Sequence, residues 1–222
     1  MSAATRILVV VGTPLGDSLD HGLARSYVEA AQAAGAQVRV HDLAADPIPE
    51  HPSLRDQLRT PRADRPEDLP LDPAAAAYID DVDWADHLVF FFPQWWGTYP
   101  AAFKAWIDRV LLSGFAFAYR PAGSAWDRLL TGRTARIVMT MDSPGWWSRV
   151  LYRDAGVRAL RTATLWYCGV RTVGVTRIGS VRHTESAGLE RRVGAMARLG
   201  TADARRTSGA TRRSRTEVGA QA

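Results

Sequence analysis

Five short apolar runs, separated by segments long enough for helices, constrain the fold of this chain more than any other feature. The runs lie at 6–11, 37–43, 87–92, 135–141 and 171–177. The third, H-L-V-F-F-F, does not alternate, which is typical of a strand buried on both faces of a parallel sheet. Strands that alternate with helices predict an α/β fold with a doubly wound five-stranded parallel sheet and helices on both faces. We expect the strand order 2-1-3-4-5, with a binding crevice between the first and third strands.

The loops after strands one, three and four have a composition that suits ligand binding. The first, 12–20, ends at a helix that begins near Leu19, and its hydroxyls and unpaired N–H groups suit a phosphate. The second, which we name the platform loop (residues 93–100), contains two adjacent tryptophans, and the third, 140–147, is again small, polar and aromatic. Because the three strands are neighbours in the expected order, their loops converge on one sheet edge.

Each loop also has an ordinary structural interpretation. Aromatic pairs are more often packed in cores or interfaces than against cofactors. The first loop could be a plain βα turn with capping residues, and Asp17 and Asp20 would repel a phosphate unless they turn away. Convergence of the three loops favours the cofactor interpretation.

Composition and charge define the domain organisation. The 222 residues are 46% hydrophobic, which suits one domain over residues 1–200 with a surface insertion at 44–73. The net charge is +5, of which the segment 201–222 contributes +3 from five arginines against two acidic residues. We interpret that segment as a disordered Arg-rich tail. The rest has no basic stripe with interleaved aromatic residues, so no nucleic-acid partner is predicted.

Several classes of protein are excluded by what the chain contains. The single cysteine, Cys168, excludes an internal disulfide framework and is predicted to be buried. No apolar run approaches the length of a membrane span, and the first residues lack a signal-peptide pattern. We therefore expect a cytoplasmic protein without membrane insertion and without a metal site. His41 lies on the polar face of the second strand and is expected to be solvated.

A long motif around the platform loop resembles a known family. It reads F-P-Q-W-W-G at 92–97, P-A at 100–101, F-K-A-W-I-D-R-V at 103–110 and G-F-A-F at 114–117. This spacing resembles the flavodoxin-like NAD(P)H:quinone oxidoreductases, a family that includes quinone reductases, modulator-of-drug-activity proteins and ancillary subunits of potassium-efflux systems. The similarity extends to S-L-D at 18–20 and I-G-S-V-R-H-T at 178–184, and it covers residues 6 to about 199. It implies a flavodoxin-like fold.

The resemblance implies a non-covalent flavin, FAD or FMN, with NAD(P)H as co-substrate and a quinone-like acceptor. In a ping-pong reaction, a hydride would pass through flavin N5 from NAD(P)H to the acceptor. The residues implied to hold the phosphate are Thr13, Ser18, Leu19 and Asp20. Those of the platform loop are Pro93, Gln94, Trp95, Trp96 and Gly97, and those that complete the ring site are Thr140, Met141, Asp142 and Ser143.

Departures from the family pattern leave parts of the function open. The long quinone reductases of this family have a tyrosine and a histidine after the fourth strand. Tyr152 is nearest to the position of that tyrosine, and no residue here matches the histidine. Trp147 is a second candidate catalytic residue. Thr13 replaces a histidine common in the family, and Asp142-Ser143 replaces Gly-Gly. The choice between FAD and FMN therefore stays open.

Two other functions and one assembly state are also considered. The alternatives are a flavin-binding ancillary or regulatory subunit of a transport system and a one-electron flavodoxin carrier. A pI near 9.9 disfavours the carrier, because carriers dock through an acidic face. A homodimer is expected, because related sites are completed across a two-fold interface and the surplus of tryptophan suits an aromatic interface.

Overall fold

The computed structural model describes residues 4–47, 50–62 and 64–206, which form one α/β domain. Its elements along the chain are β1 (Arg6–Val11), α1 (Leu19–Ala33), β2 (Gln37–Asp42), α2 (Pro73–Trp84), β3 (His87–Pro93), α3 (Ala101–Val110), β4 (Phe117–Tyr119), β5 (Trp126–Arg128), β6 (Thr134–Thr140), α4 (Gly145–Val150), α5 (Ala155–Arg158), β7 (Arg171–Ile178) and α6 (Ser186–Ala204). A π-helical segment, Ala159–Trp166, continues α5, and short 3-10 turns lie at Arg55–Leu58 and Val181–His183.

Five of the strands form a parallel sheet in the order β2-β1-β3-β6-β7, which confirms the predicted fold and strand order. Alternate side chains of each strand enter two separate cores. One core joins the even-numbered side chains of β1 and β3 to α2, α3 and the π-helical segment. The other joins the odd-numbered side chains to α1 and α6. Helices therefore cover both faces, and β3, paired on both sides, is buried throughout except at Pro93.

The third strand ends at Pro93, one residue beyond the apolar run at 87–92. Pro93 is the last residue of β3 and pairs with Thr140 of β6. The N–H of Gln94 donates to the Thr140 carbonyl (2.7 Å), so the nitrogen of Pro93 faces β1 instead. The ladder between β1 and β3 has already ended at Val11 and Phe91, so the missing N–H of proline leaves no acceptor of the ladder unpaired.

Three local elements differ from the expectation or add to it. β4 and β5 form a two-stranded antiparallel ribbon beside the main sheet, and α4 lies in the aromatic loop after β6. His41 is buried and not solvated, because its Nε2 lies 2.8 Å from Asp81 Oδ2 and its Nδ1 accepts from the Trp106 indole N–H (3.3 Å). Burial lowers the pKa of His41. Cys168 is buried, as predicted, and burial raises its pKa to about 12.

The predicted insertion at 44–73 is held against the segment that follows α3. The backbone N–H of Thr60 donates to the carbonyl of Ser113 (2.9 Å), and the Arg59 and Arg62 side chains both bind the Asp68 carboxylate. Residues 48, 49 and 63 of this insertion lie outside the described residues.

The last helix extends further than its composition indicates. We expect it to end near Leu199, but α6 continues to Ala204, four residues into the predicted tail. The cause is Asp203, whose carboxylate is fully buried and accepts from the Arg136 guanidinium (2.6 and 2.9 Å) and from the Tyr27 hydroxyl (3.0 Å). The remainder of the predicted tail, from residue 207, lies outside the described residues. Among the helices that are described, none is both long and apolar enough to cross a bilayer.

Replacing Asp203 by Asn should destabilise the fold. The substitution leaves the guanidinium of Arg136 buried without its counter-charge, and breaking a buried ion pair costs about 3 kcal/mol or more. Chemical denaturation measures the free energy of unfolding. Asp108→Asn, which breaks the exposed Lys104–Asp108 pair, is the matched control and should cost less than about 1 kcal/mol. Equal losses in the two variants would show that the buried cluster does not hold α6.

Candidate functional site

The loops after β1, β3 and β6 meet at the carboxyl edge of the sheet. The Gln94 N–H donates to the Thr140 carbonyl, and the Thr140 hydroxyl donates to Asp20 Oδ2 (3.0 Å). The carbonyl of Ser143 accepts from the N–H of Ser180 (3.0 Å), which adds the loop after β7. The structure therefore brings the candidate residues of all three predicted loops to one place.

The first loop presents unpaired donors at the start of α1. Ser18 is the N-cap of this helix, and its hydroxyl lies 2.8 Å from His21 Nδ1. Thr13 is buried and its Oγ1 accepts from the N–H of Leu15 (3.2 Å). Within the described part of the chain, no acceptor binds the backbone N–H groups of Gly16, Asp17, Leu19 and Asp20. Unpaired N–H groups at a helix start form an anion site.

The two aspartates of this loop differ in their surroundings. Asp17 is exposed at a positive φ of 50°, so its carboxylate is solvated. Asp20 is only 2% exposed, and its Oδ1 has no hydrogen-bond partner among the described residues. Burial raises its pKa to about 6, against the smaller opposing effects of the Thr140 hydrogen bond and the His21 charge. Asp20 therefore keeps its proton to a higher pH than a solvated aspartate does.

The platform loop turns its tryptophans away from the protein. The N–H of Thr98 donates to the Trp95 carbonyl (2.9 Å), which closes a tight turn with positive φ at Trp96 (50°) and Gly97 (79°). A positive φ at a bulky residue is unfavourable and is found mostly at functional positions. The side chain of Trp96 is 101% exposed and that of Trp95 is also exposed. Trp95 and Thr98 form an antiparallel bridge, whereas in the described chain the N–H groups of Trp96 and Gly97 donate to no protein acceptor.

The loop after β6 divides its candidate residues between the interior and the surface. Thr140 and Met141 are buried, whereas Asp142 is exposed and pairs with the Arg182 guanidinium (3.0 Å). The backbone of Gly179 packs tightly here, because a Cβ atom at that position would lie 2.7 Å from the Gly145 nitrogen.

Of the two candidate catalytic residues, Tyr152 lies against the platform loop. A Cβ atom added to Gly97 would lie 3.6 Å from the Tyr152 ring, so the ring lies over the backbone of that glycine. Trp147 instead contacts the neighbouring Trp146 ring edge-on, with centroids 5.6 Å apart.

A polar network that was not predicted from the sequence supports the platform loop. The Gln94 side-chain amide donates to Ser148 Oγ (3.0 Å), and the Ser148 hydroxyl lies 3.4 Å from Asp154. Arg177 donates twice to the Asp154 carboxylate (3.0 and 2.9 Å), and the N–H of Gly156 donates to the Gly97 carbonyl (3.1 Å). No sequence signal marks Ser148, which is fully buried within a tryptophan-rich segment. In the described residues, no group of three or more His, Cys, Asp or Glu side chains could hold a metal ion.

Comparison with known proteins agrees with this geometry. A family model described as "Flavodoxin-like fold" matches residues 5–200. The chain belongs to this family. It is 26% identical over 203 residues to "NAD(P)H dehydrogenase [quinone] 1" of Cavia porcellus, a match that covers 83% of this chain and 72% of the relative. It is 35% identical over 124 residues to "FMN-dependent NADH:quinone oxidoreductase" of Alcanivorax borkumensis, covering 53% and 62%.

A solved structure extends the match to the whole fold. The crystal structure of Smu.1420 from Streptococcus mutans UA159 superposes with a TM-score of 0.70 at 26% identity, over 89% of this chain and 100% of that chain. The chain spans only 58%, 72% and 62% of the length of three curated relatives that it matches.

Replacing Asp20 by Asn should change how stability depends on pH. The folded-state pKa of about 6 lies above the ordinary value of 3.8, so the unfolded chain ionises first as pH rises. From this group alone, the free energy of unfolding falls by about 3 kcal/mol between about pH 4 and pH 7, and the loss is complete above the folded-state pKa. Denaturation of the cofactor-free protein at several pH values should show this fall reduced in Asp20→Asn.

Asp17→Asn is the matched control for that measurement, because it removes a carboxylate from the same turn at an exposed position. The fall of stability with rising pH should persist in this variant, because Asp20 is unchanged. If the Asp20 and Asp17 variants have the same pH dependence, burial does not perturb the ionisation of Asp20.

Proposed function

We propose that this protein is a flavin-dependent NAD(P)H oxidoreductase that reduces quinones or similar two-electron acceptors. The observation that carries the proposal is the platform loop, in which the fully exposed ring of Trp96 adjoins the two unpaired backbone N–H groups of Trp96 and Gly97. The names of two relatives, which contain NAD(P)H or NADH and quinone, support the co-substrate and the acceptor class.

The first loop fits the phosphate of a flavin. Its unpaired N–H groups and the Ser18 hydroxyl lie at the positive end of the α1 dipole, where an anion is stabilised. Leu19 lies in the same turn, Thr13 is buried beneath it, and the exposed carboxylate of Asp17 is solvated. FMN is the first flavin to test, because the name of the bacterial relative specifies it.

The platform loop and its neighbours fit the flavin ring. Trp95 and Trp96 offer flat apolar walls, and the N–H groups of Trp96 and Gly97 would stabilise negative charge on an adjoining ring edge. A bound flavin supplies the transfer of a hydride between NAD(P)H and the acceptor. Tyr152, over Gly97, places a phenolic O–H beside the loop, where it can donate a hydrogen bond to an oxygen of the acceptor.

The remaining candidate residues have supporting roles. Thr140 and Met141 form the buried floor of the edge, and Gln94 holds the platform loop through Ser148. We also propose that the backbone of Asp142 and Ser143 borders the ring, next to Pro93. Tyr152 is the stronger of the two catalytic candidates, because its ring lies over the backbone of Gly97.

We further propose a cytoplasmic homodimer. The support is an open groove of about 780 Å³ between α3, β4, the π-helical segment and the 3-10 turn at Arg55–Leu58. The turn contributes charged side chains, and the other walls contribute apolar and aromatic ones, namely Ile107, Leu111, Phe117, Tyr119 and Tyr167. A cytoplasmic location matches the supply of NAD(P)H. Sedimentation velocity should give twice the 24.4 kDa mass of the chain, and a single-chain mass at all accessible concentrations would exclude the dimer.

The function is tested by an absorption spectrum of the purified protein, recorded before and after NADPH is added under argon. Oxidised flavin bands that bleach with NADPH and return with menadione, together with steady turnover of the two, would support the reductase. A protein that takes up neither FMN nor FAD would exclude the cofactor. Flavin that binds but is not reduced by NADPH or NADH would favour an ancillary or regulatory subunit.

Replacing Trp96 by Ala should weaken flavin binding without destabilising the fold. The Trp96 side chain is fully exposed, so its removal costs no protein packing. Stacking of a ring on an aromatic side chain contributes about 1–3 kcal/mol, so the flavin Kd should rise about 5- to 150-fold. Quenching of flavin fluorescence measures the Kd. Trp166→Ala, an exposed tryptophan remote from the platform loop, should leave the Kd unchanged, and equal effects in both variants would remove Trp96 from the site.

A further inference from the structure

The segment of residues 146–153, which forms most of α4 and the turn after it, exposes a concentration of large apolar side chains. Trp146 is 59% exposed, Val150 is 65% exposed and Leu151 is 54% exposed, and the side chains of Trp147 and Tyr152 are also exposed. Contiguous exposed apolar side chains mark an interaction surface, whereas scattered ones do not.

Unpaired arginines lie among these apolar side chains. Arg149 and Arg153 belong to the segment, Arg158 follows it, and all three are exposed. No described carboxylate forms an ion pair with any of them. The two carboxylates nearest in the chain are already engaged, because Asp154 binds Arg177 and Asp142 binds Arg182. The 146–153 segment is therefore apolar and positively charged without local compensation.

The fold holds this segment rigidly in its exposed position. Ser148 is fully buried, accepts from the side chain of Gln94 (3.0 Å) and, through its carbonyl, accepts from the Asp154 N–H (2.8 Å). The Leu151 N–H donates to the Trp147 carbonyl (2.9 Å). One buried serine thus anchors the segment, while its apolar side chains remain outside the two cores.

Charge decides which partner fits this surface. In a two-fold symmetric dimer, the same patch on each copy takes part, so a second copy seated here would set positive charge against positive charge. Trp and Tyr beside exposed Arg are instead typical of protein segments at the boundary between lipid headgroups and acyl chains. Arginine side chains bind lipid phosphates and lay their apolar stems along the boundary.

We propose that the 146–153 segment docks this protein on the surface of an anionic lipid bilayer. Trp146, Val150 and Leu151 enter the boundary between headgroups and acyl chains, and Arg149 and Arg153 bind lipid phosphates. The segment lies on the membrane and does not span it. Docking goes beyond the proposed function and does not depend on a flavin.

Docking has one consequence that rests on the proposed function. Tyr152 of this segment lies against Gly97, so the platform loop adjoins the docked surface. A quinone with a long apolar chain, dissolved in the bilayer, would then reach the platform loop without crossing water.

The experiment is co-sedimentation of the full chain with vesicles of phosphatidylglycerol and phosphatidylcholine in equal parts, and with vesicles of phosphatidylcholine alone. We expect binding to the anionic vesicles that weakens as NaCl is raised from about 0.1 M to about 0.5 M, because salt screens the arginines. Binding to phosphatidylcholine alone should be at least roughly tenfold weaker.

Two pairs of substitutions test the two parts of the surface, and neither touches the residues proposed for catalysis. Arg149→Gln with Arg153→Gln removes two charges and should weaken binding roughly 30-fold. Trp146→Ser with Val150→Ser removes buried apolar area on the membrane and should weaken it roughly tenfold or more. The matched control, Arg161→Gln with Arg171→Gln, removes two exposed arginines outside this segment and should change binding less than threefold.

Three outcomes would overturn the proposal. The protein could fail to bind anionic vesicles, or it could bind them equally well in all variants, which would show non-specific attraction to its basic chain. Alternatively, Trp146→Ser with Val150→Ser could abolish a dimer in sedimentation velocity without any binding to vesicles, which would assign the surface to a second copy. Because vesicle binding is measured without NADPH or quinone, its failure is distinct from failure of flavin binding or turnover.

Discussion

The parallel register of β3 against β1 and β6 is the constraint on which the rest of this structure depends. Val11 is level with Phe91, and Pro93 is level with Thr140, so three chain segments leave the sheet within a short distance of each other. Because β3 is buried on both faces, a slip of its register would exchange its two sets of core side chains. The same hydrophobic pairing that stabilises the sheet therefore also aligns the loops that follow β1, β3 and β6.

Two buried carboxylates show how local partners decide the ionisation of the same side chain. Burial by itself raises the pKa of Asp203, but the hydrogen bonds from the Arg136 guanidinium and the nearby His87, whose Nε2 lies 3.2 Å from Oδ2, outweigh it and hold that pKa well below its ordinary value. Asp20 is buried to a similar degree, but its main partner is a neutral hydroxyl, and its pKa rises. The first carboxylate joins α6 to the sheet, and the second lies at the edge where a ligand is expected.

The sheet, its strand order and the convergence of the loops could be predicted from the sequence, because they depend on apolar periodicity and on the rules of parallel sheets. Features that depend on distant partners could not. From the sequence, Asp203 is predicted to belong to a polar tail, and only the structure shows that Arg136, 67 residues earlier, lies beside it. From the sequence, His41 is predicted to be solvated, but in the structure its ring nitrogens bind the side chains of Asp81 and Trp106. The helix α4 spans six residues, too few for a periodic signal, and its anchor Ser148 is defined by contacts with Gln94 and Asp154.

Stability of the fold and binding of a ligand favour different residues at position 96. At a φ of 50°, tryptophan is less favourable than glycine or asparagine, and its exposed ring returns no packing energy to the isolated chain. A population selected only for thermal stability would lose this tryptophan readily. Retention of tryptophan at position 96 in a natural lineage would therefore indicate that this residue binds a ligand. A survey of the residues at position 96 could then separate related proteins that bind a ring there from those that have lost the activity.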